Sequence, residues 1–129
     1  MLPWEKKTRV LLVDDSADMR GNVRRLLSFT PTIVIVGEAA NGEEAVLHCR
    51  GLQPDVVLMD LSMPRMDGVQ AAQAILKEYP DTCVVIMSAY GEQYNIDRSL
   101  AAGAQAFLIK PFSIEVLVET IQRLHRPGS

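Results

Sequence analysis

Val56-Val57-Leu58-Met59-Asp60-Leu61-Ser62-Met63-Pro64-Arg65-Met66-Asp67-Gly68 is the stretch on which the fold turns. Four apolar residues end in a carboxylate, and a run rich in turn-forming residues follows. A short apolar run bounded by such residues reads as a buried strand. Two other runs have the same shape: Val10-Leu11-Leu12-Val13 delivers Asp14-Asp15, and Phe107-Leu108-Ile109 delivers Lys110-Pro111. Charged groups at the carboxyl ends of such strands are expected to meet at one edge of one sheet. Crowded carboxylates raise one another's pKa unless a cation joins them. Asp14, Asp15 and Asp60 therefore form a candidate Mg²⁺ site holding an Asp able to take a phosphoryl group.

Working outward, strand-like and helix-like stretches alternate. Residues 16–29 carry Met19, Val23, Leu26 and Leu27 at helical spacing, and Thr30-Pro31 ends that helix. Residues 33–36 read as a second strand, followed by a helix carrying Ala45, Val46 and Cys49 that Gly51 is expected to close. Asp67-Gly68 opens a third helix, stopped by Pro80, with Asp67 expected to shape the turn and cap the helix. Residues 82–87 form a fourth strand, Ser88-Ala89-Tyr90-Gly91 a loop, and a fourth helix ends at Gly103. Residues 106–109 are a fifth strand, and Ser113 caps a last helix. Strands separated by helices need crossover connections, hence an α/β fold with a parallel sheet covered on both faces.

With 129 residues and 48% hydrophobic content, the chain is long and apolar enough for one domain with a true core. Its net charge of −3 gives no footprint for nucleic acid or anionic membrane. No apolar stretch approaches a membrane span, and residues 1–7 lack the apolar core of a signal peptide. Cys49 and Cys83 are too few for a disulfide framework and fit reduced core residues of a cytoplasmic protein. Residues 1–8 and 126–129 are expected to be tails around a domain at 9–125.

Asp14, Asp15, Asp60, Ser88 and Lys110, in this order and spacing, with Met63-Pro64-Arg65-Met66-Asp67-Gly68 after Asp60, resemble the receiver domain of two-component response regulators. The resemblance runs from Arg9 to about Leu124. It implies a flavodoxin-like, doubly wound five-stranded parallel sheet in the order 2-1-3-4-5. It makes Asp60 the phosphoacceptor, a nucleophile toward the phosphohistidine of a sensor histidine kinase or a histidine phosphotransfer protein. By the same resemblance Asp15 and Asp60 would hold Mg²⁺ directly, Asp14 through water, and Ser62 through its backbone carbonyl. Lys110 would pair with a phosphoryl oxygen, and Ser88 would donate to the phosphoryl group once it is present. The resemblance also implies that Phe107 would occupy the switch-aromatic position, that Ser62 and Tyr90 would flank the path of hydrolytic water, and that Pro111 would follow a cis peptide.

Several residues have plainer readings. Asp14-Asp15 can cap a helix, and Ser88 alone is a loop hydroxyl. Adjacent His48 and Cys49 point in different directions on a helix and do not make a metal site. Arg20, Arg24 and Arg25 form a basic edge that reads as a solvated face. The family's output face, built from the fourth helix, fifth strand and fifth helix, would carry Tyr94, Asp97, Arg98, Glu115, Glu119 and Arg123, with contacts for a partner or a homodimer. The expected protein is a signalling switch, not an enzyme beyond its own phosphorylation and slow dephosphorylation. If an effector domain follows, transcriptional regulation is the expected output; nothing in this stretch would itself bind DNA. A stand-alone regulator is the alternative. A haloacid-dehalogenase-like phosphatase is a remote one, because that chemistry wants a second Asp where this chain has Ser62.

Overall fold

The computed structural model describes residues 7–125. The expected tail at 126–129 and most of that at 1–8 lie outside them; Thr8 already belongs to the first strand. The elements follow in the order β1 (Thr8–Val13), α1 (Ala17–Leu27), β2 (Ile33–Ala39), α2 (Gly42–Leu52), β3 (Val56–Asp60), α3 (Gly68–Glu78), β4 (Cys83–Ser88), α4 (Gln93–Ala101), β5 (Ala106–Ile109) and α5 (Ile114–Leu124). The five strands form one sheet in the order β2-β1-β3-β4-β5, and every pairing is parallel. This is the doubly wound arrangement that the sequence resemblance implies.

Alternation along each strand sends neighbouring side chains to opposite faces. Leu11, Val13, Val57, Met59, Val84 and Ile86 pack on one side with Ala45, Cys49, Ala71, Ala72 and Ile75 of α2 and α3. Val10, Leu12, Val56, Leu58, Val85 and Met87 pack on the other with Val23, Leu27, Leu117 and Ile121 of α1 and α5. Both faces of β3 are dry, so its sequence is unbroken apolar residues rather than an alternation.

Boundaries of β2 and α2 depart from the sequence reading, each for a local reason. β2 continues past Val36 to Ala39, because the register of the β1–β2 pair shifts between Val10 and Leu11 and pairing resumes at Gly37. Gly51 does not close α2. The helix runs on to Leu52, and Gln53 takes the left-handed position at φ 46°, its N–H donating to the Cys49 carbonyl at 2.9 Å. The N-cap of α1 is Ser16, whose hydroxyl accepts from the Met19 N–H at 3.2 Å, which leaves Asp14 and Asp15 free of that duty. Asp67 caps α3 as expected, in a reciprocal box with Gln70.

Candidate functional site

Parallel pairing brings the carboxyl ends of β1, β3, β4 and β5 to one edge. Val13 lies beside Met59, Asp60 beside Met87, and Ser88 beside Ile109. The strand ends and the residues that follow them therefore bring Asp14, Asp15, Asp60, Ser88 and Lys110 to a common place. Each of Asp14, Asp15 and Asp60 offers a carboxylate oxygen within 4.8 Å of the others. Asp14 and Asp60 are buried and Asp15 is exposed, so the cluster opens to water on one side.

Lys110 closes the other side. Its Nζ donates to Asp14 Oδ2 at 3.1 Å and to Asp60 Oδ1 at 3.3 Å. Burial alone would lower the lysine's pKa, but the hydrogen bond to Asp14 and the charge of Asp60 outweigh it and hold the ammonium above its ordinary value. The Asp60 carboxyl is pushed up by burial first and by the Asp14 charge second, against the opposing pull of Lys110. Asp14 Oδ1 accepts the Ser16 N–H at 2.9 Å, so both of its oxygens already have donors.

Backbone packing sets the height of Asp60. The Gly68 N–H donates to the Leu61 carbonyl at 2.9 Å. A Cβ at Gly68 would run into the Asp60 carbonyl oxygen, so only glycine lets the start of α3 approach the Asp60 peptide this closely.

The remaining predicted residues fall around this centre. Ser88 is buried; its Oγ accepts from the Tyr90 N–H at 2.9 Å and donates to the Tyr90 carbonyl at 3.3 Å. The Tyr90 side chain is exposed, as is Ser62. Phe107 is half-buried against the α2–α3 side of the core. The Lys110–Pro111 peptide is cis, as expected. On the expected output face, Tyr94, Asp97, Glu115, Glu119 and Arg123 are exposed. Arg98 is half-buried and pairs across to the α3 cap, donating to Asp67 Oδ2 at 2.8 Å.

Two side chains near the site escaped sequence reasoning. Arg20 and Arg24 read as a solvated edge, yet both pair with Glu38, at 3.0 and 2.7 Å. Arg20 also donates to the Asp14 carbonyl at 2.6 Å. The available signal was topological: once β2 is placed beside β1, Glu38 comes opposite Leu12, within reach of the first turn of α1.

Comparison with known proteins agrees with the geometry. Residues 10–122 match the response regulator receiver domain family. The chain is 39% identical over 114 residues to the uncharacterized transcriptional regulatory protein YhcZ of Bacillus subtilis, covering 88% of this chain and 53% of that one. It is 37% identical over 118 residues to the chemotaxis protein CheY of Thermotoga maritima, covering 92% and 98%. The response regulator domain of Thermotoga maritima CheB superposes with a TM-score of 0.86 at 35% identity, covering 92% and 96%. The chain thus spans about half the length of YhcZ and nearly all of CheY. With the strand order and the acidic strand-end cluster already in place, these matches establish that the chain belongs to the response regulator receiver domain family.

Proposed function

We propose that Asp60 accepts a phosphoryl group from the phosphohistidine of a sensor kinase or phosphotransfer protein, and that the resulting aspartyl phosphate switches the domain's surface. The observation that carries this reading is the convergence of Asp14, Asp15, Asp60 and Lys110 on one half-open site. Three carboxylates offer a purely oxygen donor set, which suits Mg²⁺. Asp15, Asp60 and the Ser62 carbonyl would hold the ion directly. Asp14, with donors on both oxygens, would act through water. Bound there, Mg²⁺ supplies the positive charge that screens an anionic nucleophile from an anionic phosphoryl group.

The chain's own residues do the rest. An Asp60 carboxylate oxygen attacks phosphorus, and the donor's nitrogen leaves with the bonding pair. Lys110 already spans Asp14 and Asp60, so its ammonium lies where a phosphoryl oxygen on Asp60 needs a cation. Ser88 must give up its hydrogen bond to the Tyr90 carbonyl before it can donate to that group. The exchange pulls the loop after β4 toward the phosphate, and Phe107 turns into the space released. Turning a mostly inactive population into a mostly active one takes about 5 kcal/mol of difference between the two states. A charge-assisted contact from Lys110 and a hydroxyl bond from Ser88 supply much of that.

The domain is a switch and not a turnover enzyme. With Mg²⁺ and a phosphate monoester it releases no phosphate over many cycles, since Ser62 stands where a hydrolase would need a second carboxylate. No helix of the described residues is long and apolar enough to cross a membrane. The half-length match to YhcZ favours an output domain for transcriptional control over stand-alone use. A homodimer through α4, β5 and α5 would be one way to pass the signal on. Incubation with radiolabelled acetyl phosphate and Mg²⁺ tests the reading: label on the wild type and none on Asp60→Asn is expected, whereas equal labelling would overturn it.

A further inference from the structure

Arg20 reaches the site through the backbone rather than through a carboxylate. Its Nη1 donates to the carbonyl oxygen of Asp14 at 2.6 Å, and its Nε donates to Glu38 Oε1 at 3.0 Å. Its side chain is only 19% exposed, so the fork is held rather than waving in solvent. Glu38 lies near the end of β2, opposite Leu12 of β1. The guanidinium therefore ties the edge strand to the loop that presents Asp15. The carbonyl it holds belongs to the peptide that links Asp14 to Asp15. A peptide is planar, so orienting that carbonyl fixes the plane from which the Asp15 side chain departs.

Arg24 supplies an internal contrast. It lies one turn further along α1 and pairs with the other oxygen of Glu38, through Nε at 2.8 Å and Nη2 at 2.7 Å. It carries the same charge on the same anchor, but its hydrogen bonds go to Glu38 and not to Asp14.

We propose that Arg20 is a positioning residue for the cation-binding side of the site, holding the Asp14–Asp15 peptide so that the Asp15 carboxylate converges with those of Asp14 and Asp60. The inference rests on the reading of the site given above. Charge and positioning act here with opposite signs. Removing a cation beside an acidic cluster strengthens binding of Mg²⁺ by simple electrostatics. Removing a hydrogen bond that orients a ligand weakens it. The direction of the change therefore separates the two.

The experiment is a titration of the protein with MgCl₂, followed by amide NMR shifts, on wild type, Arg20→Gln, Arg20→Lys and Arg24→Gln, with urea unfolding of each. Arg20→Gln is expected to weaken Mg²⁺ binding roughly tenfold and to displace the Asp15 amide resonance already without Mg²⁺. Arg24→Gln leaves binding unchanged or slightly tighter. Arg20→Lys recovers part of the affinity, because an ammonium keeps the charge but cannot hold two acceptors in a fork. If Arg20→Gln fails to fold, Arg20→Lys against Arg24→Gln carries the comparison. Binding by the Arg20 variants as tight as wild type, or equal weakening by Arg24→Gln, overturns the proposal. A wild type that binds no Mg²⁺ overturns the reading of the site itself and this inference with it.

Discussion

Asp60 pays for its position. It is 6% exposed, faces Asp14, and among the described residues has the Lys110 ammonium alone beside it to offset both effects. Its carboxyl is held above the ordinary value, so the native state binds that proton more tightly than the unfolded chain does. Stability then falls as pH rises through the folded value and the charge forms. Asp60→Asn removes that charge while Lys110 keeps Asp14 as a partner. The metal-free variant should therefore be more stable than wild type at neutral pH, on the order of 1 kcal/mol by urea unfolding. A less stable variant would show that Lys110 outweighs the burial and repulsion. Tyr90 makes a different case. Its exposed ring contributes little to packing but stands beside the strand end. Tyr90→Ala should shorten the lifetime of the aspartyl phosphate severalfold with unchanged stability, by letting water approach; an unchanged or slower loss of phosphate contradicts that role.

At the scale of elements, the start of α3 and the loop after β3 work as one piece. Gly68 touches the Asp60 backbone, Asp67 caps the helix, and Arg98 of α4 grips Asp67. Gly68→Ala forces the added methyl against the Asp60 carbonyl. It should cost both stability and phosphoryl uptake, unlike Gly21→Ala in α1, where a Cβ meets open space. Burial works against the Asp67 carboxylate, but the Gln70 N–H and then Arg98 outweigh it and hold its pKa below the usual range. Such a group stabilises fully above the ordinary aspartate value, and its contribution drains away as pH falls through the lowered one. Arg98→Gln should lose about 0.5–1 kcal/mol near neutrality, modest because both side chains are partly solvated. Urea unfolding across the acid range should find the gap to wild type closing as Asp67 protonates. This pair was hidden in the sequence because residues 67 and 98 lie 31 positions apart and meet only in the folded chain. Strand ends and the Asp67 cap were legible because they depend on neighbours in the chain.

For the molecule as a whole, the alternation of apolar runs and helical spacing was enough to specify a parallel sheet, since both faces of β3 must be dry. Strand order was legible only through resemblance, because periodicity does not say which strands adjoin. The site followed from strand ends: Asp14, Asp15, Asp60 and Lys110 are terminal residues of buried runs, and a parallel sheet puts such ends together. What could not be read was which partner each charge chooses. Lys110 bridges two carboxylates, and Arg20 holds a carbonyl instead of facing solvent. Such choices are made across the sheet, among residues far apart in sequence. The central claim, that this edge exists to load Asp60, is open to direct chemical mapping. An aspartyl phosphate is reduced by borohydride to homoserine, which peptide mass spectrometry can locate. After treatment with acetyl phosphate and Mg²⁺, homoserine at position 60 and at no other aspartate is the predicted result; homoserine at Asp14 or Asp15, or at no position, would contradict the account.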